Sequence, residues 1–234
     1  MSTLIKGGTV VTAEGSHDAD VLVEGETIAA VVAPGTVTTA DEVIDAAGRY
    51  VIPGGIDAHT HMEMPFGGTF ASDTFETGTK AAAHGGTTTI IDFPVQAKGT
   101  GLAETLERWH KKADGNCAVD YGFHMIVSDV SDTTLKEMDA LIGDGVTSFK
   151  MFMAYPGVFY ATDGEILLAM QQARQSGGLI MMHAENGIAI DQLVAQALAA
   201  GRAEPVHHGL TRPPELEGEA TGRAIQLAKV TGCP

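Results

Sequence analysis

Gly55-Ile56-Asp57-Ala58-His59-Thr60-His61 is a short apolar run that closes on His-x-His. Side chains alternate between the two faces of a β-strand, so residues two apart point the same way. A strand here presents His59 and His61 side by side at its C-terminal end. Two neutral imidazoles at that spacing suit a divalent cation such as zinc, at Zn–N distances of about 2.0–2.1 Å. A lone pair of this kind also fits two structural histidines, so its weight depends on what else the chain carries.

Working outward, Val146-Thr147-Ser148-Phe149-Lys150-Met151-Phe152-Met153 sets a lysine inside a second strand-like run. Lysine is rarely buried without a partner. Burial lowers its pKa and frees a neutral amine. The bland alternative is a strand-edge lysine that reaches solvent. A third run, Leu179-Ile180-Met181-Met182-His183-Ala184-Glu185-Asn186, again ends on a histidine with a helix-like segment after it. Three strand ends with ligand-type or nucleophilic groups describe one site.

These motifs resemble the dihydropyrimidinase/hydantoinase branch of the cyclic amidohydrolases: Asp57-x-His59-x-His61, then Lys150-Met151-Phe152-Met153-Ala154-Tyr155, then His183-Ala184-Glu185-Asn186. The likeness extends through Met64-Pro65-Phe66-Gly67-Gly68 and Gly85-Gly86-Thr87-Thr88-Thr89-Ile90-Ile91-Asp92-Phe93. It implies two divalent metal ions, Zn2+ by expectation, bridged by N6-carboxylated Lys150, with His59 and His61 on one ion and His183 on the other. A metal-bridging hydroxide would open 5,6-dihydropyrimidines (dihydrouracil to N-carbamoyl-beta-alanine) or 5-substituted hydantoins. Lys150 and Tyr155 are the implied catalytic residues, Tyr155 stabilising the developing oxyanion. The plain alternative for Tyr155 is a loop tyrosine packed on its neighbours. Met62, Met64, Phe66, Phe152, Tyr155 and Phe159 are the expected pocket wall. The resemblance also implies a homo-oligomer, a tetramer in this family.

Neighbouring activities divide on a few residues. Met62-Glu63-Met64-Pro65 lacks the arginine that dihydroorotases carry just after His-x-His. An allantoinase-like ureide hydrolase is the alternative with similar lysine and histidine motifs. Collapsin-response-mediator proteins resemble this family as non-enzymatic scaffolds, but have lost ligands where this chain keeps His61 and Lys150.

The rest of the chain frames the site. Residues 1–50 read as short strands split by Gly7-Gly8, Gly25-Glu26, Pro34-Gly35 and Gly48, with Gly25-Glu26 as a hairpin turn. They are expected to form part of a small β-sandwich. Residues 51–234 alternate strand and helix, with strands ending near His61, Phe93, Val127, Met153 and His183. Capping boxes are expected at Asp73-x-x-Glu76 and Thr162-x-x-Glu165. This rhythm reads as an α/β protein of the (β/α)8 TIM-barrel type, with its chemistry at the C-terminal strand ends. About five of the eight βα units are visible. The expectation is therefore an N-terminal fragment, inactive by itself, whose remaining histidine ligand and catalytic aspartate lie beyond Pro234. Asp57 reads as a partner that orients a ligand histidine or else as a strand-end turn residue, Asp92 as a structural residue and His124 as a core histidine.

Composition narrows the setting. A formal charge of −16 argues against nucleic acid or an anionic membrane as partner. No apolar run is long enough for a membrane span, and the N-terminus lacks a signal-peptide core. Cys117 and Cys233, two isolated thiols, fit the cytoplasm.

Overall fold

The computed structural model describes residues 1–234, which divide into two compact units, Met1–Gly55 and Ile56–Pro234. In the first, β1 (Ser2–Thr12) pairs antiparallel with β2 (Gly15–Glu24), which pairs with β3 (Thr27–Val32). The short strands β4 (Glu42–Asp45) and β5 (Tyr50–Val51) run parallel to β1. Gly25-Glu26 closes the β2–β3 hairpin, with Gly25 at φ +61° supplying the left-handed turn residue. A sandwich requires a second sheet facing the first, and this unit contains one sheet.

The break expected at Gly7-Gly8 is a bulge inside a continuous strand instead. The β1–β2 register shifts between Ile5 and Gly8, and Gly7 takes φ +74°. The carboxylate of buried Asp20 accepts the Gly7 N–H at 2.8 Å and the Gly35 N–H at 2.7 Å, so the chain bends without leaving the sheet.

The second unit is built of βα repeats. Its elements are β6 (Gly55–Thr60), the hairpin β7 (Pro65–Phe66) and β8 (Thr69–Phe70), α1 (Phe75–His84), β9 (Thr87–Asp92), α2 (Leu102–Ala113), β10 (Asp120–Phe123), β11 (Met125–Ile126) and α3 (Asp132–Gly143). There follow β12 (Ser148–Phe152), α4 (Asp163–Ser176), β13 (Leu179–His183), α5 (Gly187–Ala199), α6 (Val206–Leu210) and α7 (Pro214–Thr231). β6 lies beside β9, β9 pairs in parallel with β10, and β11 pairs in parallel with β12, which pairs with β13. β10 and β11 are two parts of one strand path interrupted at His124, whose N–H still bonds to the Asp92 carbonyl at 2.9 Å. Adjacent strands thus follow chain order, as sequential βα units usually do.

Local signals explain the helix ends. α4 starts on the expected capping box of Thr162 and Glu165 and stops at Gly177, φ +80°. At α1 the box is Thr74 with Thr77, one residue later than Asp73 with Glu76. Glu76 pairs instead with Lys80 on the next turn.

Alternation along the strands sorts the interior into two sets. Phe149 and Met151 of β12, Met125 and Val127 along the β11 path, Ile90 of β9 and Ile180 of β13 pack against Leu102, Leu106, Trp109, Met138, Ile166 and Met170 of the helices. The intervening residues Ile126 and Phe152 join Phe93 and Phe159 in a second apolar cluster, with Met64, Tyr155 and Met181 against it.

The first residue of α5, Gly187, closes against the segment that leaves β12. Its N–H bonds to the Met153 carbonyl at 3.0 Å, and a Cβ there would lie 2.9 Å from both the Met153 oxygen and Ala154 Cα. Gly187→Ala is therefore expected to lower stability by about 1–3 kcal/mol, the usual range for overpacking. Urea denaturation would show it as a lower midpoint at unchanged slope.

Candidate active site

β6, β12 and β13 deliver the chemistry to one cavity of roughly 420 Å³. His59, His61, Lys150, Tyr155 and His183 all line it, together with Met64, Phe66, Phe152 and Phe159. The β12–β13 register sets Phe152 opposite His183 and Lys150 opposite Met181. Lys150 Nζ stands 5.5 Å above the Phe152 ring, and the His183 ring stacks on Phe152 at 5.5 Å between centroids. Tyr155 lies 5.2 Å from His183, centroid to centroid.

His59 of β6 and His61, just past its end, converge. Their Nε2 atoms are 3.2 Å apart with the rings nearly perpendicular, and the Phe93 ring packs on both. Asp57 does not orient either imidazole; its carboxylate accepts the His59 backbone N–H at 3.1 Å. On β13 the orienting carboxylate is Glu185, whose Oε2 is 2.7 Å from His183 Nε2. Such a bond fixes the ring and leaves the other nitrogen for a further partner.

Burial shapes the charge states. It pushes the Lys150 amine below its ordinary range, and no neighbouring carboxylate offsets this. It also lowers His61, with smaller contributions from the charges of His59 and Lys150. The Tyr155 hydroxyl is pushed up, first by burial and then by Glu185, so it stays a hydrogen-bond donor at neutral pH. His124, beside the site, is held low mainly by burial; it bonds to Ser148 Oγ and packs on Phe93.

Tyr155 is also conformationally unusual, with φ +59° in the left-handed region, which costs a non-glycine residue on the order of 1–3 kcal/mol. Its carbonyl accepts N–H groups from Val158, Phe159 and Tyr160 at 3.0, 3.1 and 3.2 Å, which pins the turn.

The donor set suits a divalent cation of a particular kind. A 3.2 Å gap between two Nε2 atoms can be spanned by an ion about 2.0–2.1 Å from each. His61 Nδ1 is buried with no protein partner. No three His, Cys, Asp or Glu side chains converge on one point. Lys150 lines the same cavity, and burial favours its neutral amine, the form that can donate an electron pair.

Met62 is the one expected wall residue that the structure removes from the cavity. It alternates with His61 and turns to the helix side, against Gly78 of α1 and the main core. Thr69, Phe70, Ala71, Phe93 and Ile126 line the cavity without having been anticipated. Phe93 and Ile126 were accessible from the two-residue period of their strands. The β7–β8 residues required knowledge of a hairpin that the sequence scarcely signals.

Parallel strands in chain order, with imidazoles and a desolvated amine at their C-terminal ends, define an α/β protein with a cation-ready cavity at the edge of its sheet. Residues 50–227 match the amidohydrolase family. The chain belongs to that family. It is 65% identical over 236 residues to a D-hydantoinase of Streptomyces coelicolor, covering 99% of this chain and 50% of the relative. It is 44% identical over 236 residues to the dihydropyrimidinase of Rattus norvegicus, covering 99% and 46%. The crystal structure of dihydropyrimidinase from Brevibacillus agri NCHU1002 superposes with a TM-score of 0.96 at 50% identity, covering all of this chain and 50% of that one. The chain thus spans about half the length of these relatives.

An amine held half-buried without a counter-charge works against folding. In metal-free protein, Lys150→Met is expected to raise stability on the order of 1 kcal/mol, while zinc binding falls away. Thermal melts in chelator and a zinc titration measure the two effects separately.

Proposed function

We propose that the protein is a zinc-dependent cyclic amidase that opens 5,6-dihydropyrimidines or 5-substituted hydantoins to N-carbamoyl amino acids. The observation that carries this reading is the convergence of His59, His61, Lys150 and His183 on one cavity in a chain so similar to hydantoinases. His59 and His61 would hold one metal ion, His183 a second, and Lys150 in its N6-carboxylated form would bridge them. When bound, such a pair supplies an activated water and polarises the ring carbonyl.

The chain's own residues supply the rest. The reaction adds water across one ring amide: the C–N bond breaks, hydroxide joins the carbonyl carbon, and a proton goes to the leaving nitrogen. Tyr155 donates its hydroxyl proton in a hydrogen bond to the oxygen that gains charge on attack. Its left-handed backbone turns it back over the strand ends instead of letting the chain run on. Phe66, Phe70, Phe152 and Phe159 wall the cavity with aromatic surface, which keeps out water and receives an apolar ring substituent.

The reading extends to architecture. The βα repeats belong to a (β/α)8 barrel and the N-terminal sheet to a small sandwich, with boundaries at about residues 50 and 51. The active form is a homo-oligomer, a tetramer by likeness to the family, and acts in the cytoplasm. No helix of this chain is long and apolar enough to cross a membrane.

Ring opening by zinc-loaded protein, expressed from the longest reading frame that contains these residues, tests the proposal. Dihydrouracil and a 5-substituted hydantoin should turn over, and Lys150→Ala should reduce both to background. Turnover of allantoin alone would move the enzyme to a neighbouring activity. No turnover of any ring with zinc bound would sink the substrate assignment. Phe159→Ala should raise KM for 5-phenylhydantoin about 3–10-fold, the worth of one aromatic contact, and leave unsubstituted hydantoin nearly unchanged.

A further inference from the structure

Asp92 ends β9 fully buried, yet it does not line the cavity. It belongs to the helix side of the sheet with Ile90, whereas Phe93, one residue on, faces the histidines. One carboxylate oxygen, Oδ2, accepts the Thr60 hydroxyl at 3.1 Å and the Met62 backbone N–H at 2.7 Å. The other, Oδ1, accepts the indole N–H of Trp109 from α2 at 3.1 Å. Thr60 and Met62 are the residues on either side of His61.

We propose that Asp92 is a positioning residue for the His59/His61 pair, tying the residues on both sides of His61, Thr60 through its hydroxyl and Met62 through its backbone N–H, to α2 so that the His61 imidazole meets that of His59. The inference rests on the reading of these two histidines as cation ligands. Three facts support it. The strand has ended at Thr60, so ladder hydrogen bonds no longer hold His61 in place. Direct ligation by Asp92 is ruled out, because its side chain points to the opposite face. The indole bond makes the clamp rigid, since Trp109 is itself packed in the main core. A buried carboxylate with three donors from two other elements is costly to desolvate unless all of its bonds are kept. Thr60, Met62 and Trp109 provide them.

Zinc affinity of the chelator-stripped protein, measured by competition with a chromogenic chelator, gives a readout independent of turnover. Asp92→Ala should weaken zinc binding about 10–100-fold, as for other partners that orient metal ligands. Asp92→Asn separates positioning from bulk folding. Its carbonyl oxygen can still accept from Thr60 and Met62, but its NH2 then faces the Trp109 N–H, donor against donor. Asp92→Asn should therefore bind zinc weakly, and adding Trp109→Phe should restore affinity close to that of Trp109→Phe alone. This pair decides the matter even if Asp92→Ala fails to fold in a thermal melt. Wild-type affinity in Asp92→Ala, or no recovery in Asp92→Asn/Trp109→Phe, would overturn the inference while leaving the proposed function intact. Wild-type protein that binds no zinc would overturn both.

Discussion

The two-residue period of a parallel strand sorts the strand residues of the βα unit into core or cavity. Along β12, Phe149 and Met151 go to the helices while Lys150 and Phe152 go to the cavity. Along the last residues of β6 and just beyond it, His59 and His61 face one way and Thr60 and Met62 the other. A slip of one residue in any of these strands would exchange core for chemistry. The apolar residues bound for the helices therefore specify the site as strictly as the ligands do. Hydrophobic packing against α1 to α4 locks the register, and the register aims the polar groups.

Holding that arrangement is costly in isolation, and the cost is concentrated at the cavity. The two non-glycine residues with positive φ, Glu63 and Tyr155, both lie just beyond strands that carry site residues. Lys150 is desolvated without an ion partner. Such features persist only where the surroundings over-determine them. Around Tyr155 the over-determination is visible: three N–H groups converge on its carbonyl, Phe66, Phe152 and Phe159 contact its ring, and Gly187 lets α5 approach the same segment. Around His61 it comes from Asp92 and Trp109, on the far face of the sheet.

Much of this was legible in the residues, because strands that end in histidine or carry a lone lysine break the expected pattern in a conspicuous way. His59, His61, Lys150, Tyr155 and His183 needed only spacing and resemblance to be singled out, and the structure brings all five to one cavity. Met62 was misassigned for a simple reason: nearness in sequence to the ligands outweighed the alternation that sends it to Gly78. Asp57 is a carboxylate next to histidines in sequence, whereas the carboxylates that bond to the His183 ring and beside His61, Glu185 and Asp92, are identified only by side-chain contacts in the fold. The bulge at Gly7 read as a turn because glycine pairs punctuate both, and only the Asp20 side chain, thirteen residues away, decides between them. In each miss a long-range hydrogen bond or face assignment prevailed over a local signal.

Charge balance gives an independent reason for a lysine to take part in the proposed metal pair. Three imidazoles and a neutral amine bring no negative charge, and two divalent cations placed among them would be strongly repelled in a half-buried cavity. The formal charge of −16 helps little, since it is spread over the whole chain and exposed charges are screened beyond about 8–10 Å. Compensation has to be local. Glu185 is the carboxylate in contact with the His183 ring, and buried Asp92 places a second one behind His61, outside the cavity. A carboxylated Lys150 would add the third between the two ions. On this view the absence of acidic side chains from the cavity wall does not count against the proposed metal pair. It is the condition under which the proposed carboxylation of a desolvated amine would supply the missing negative charge.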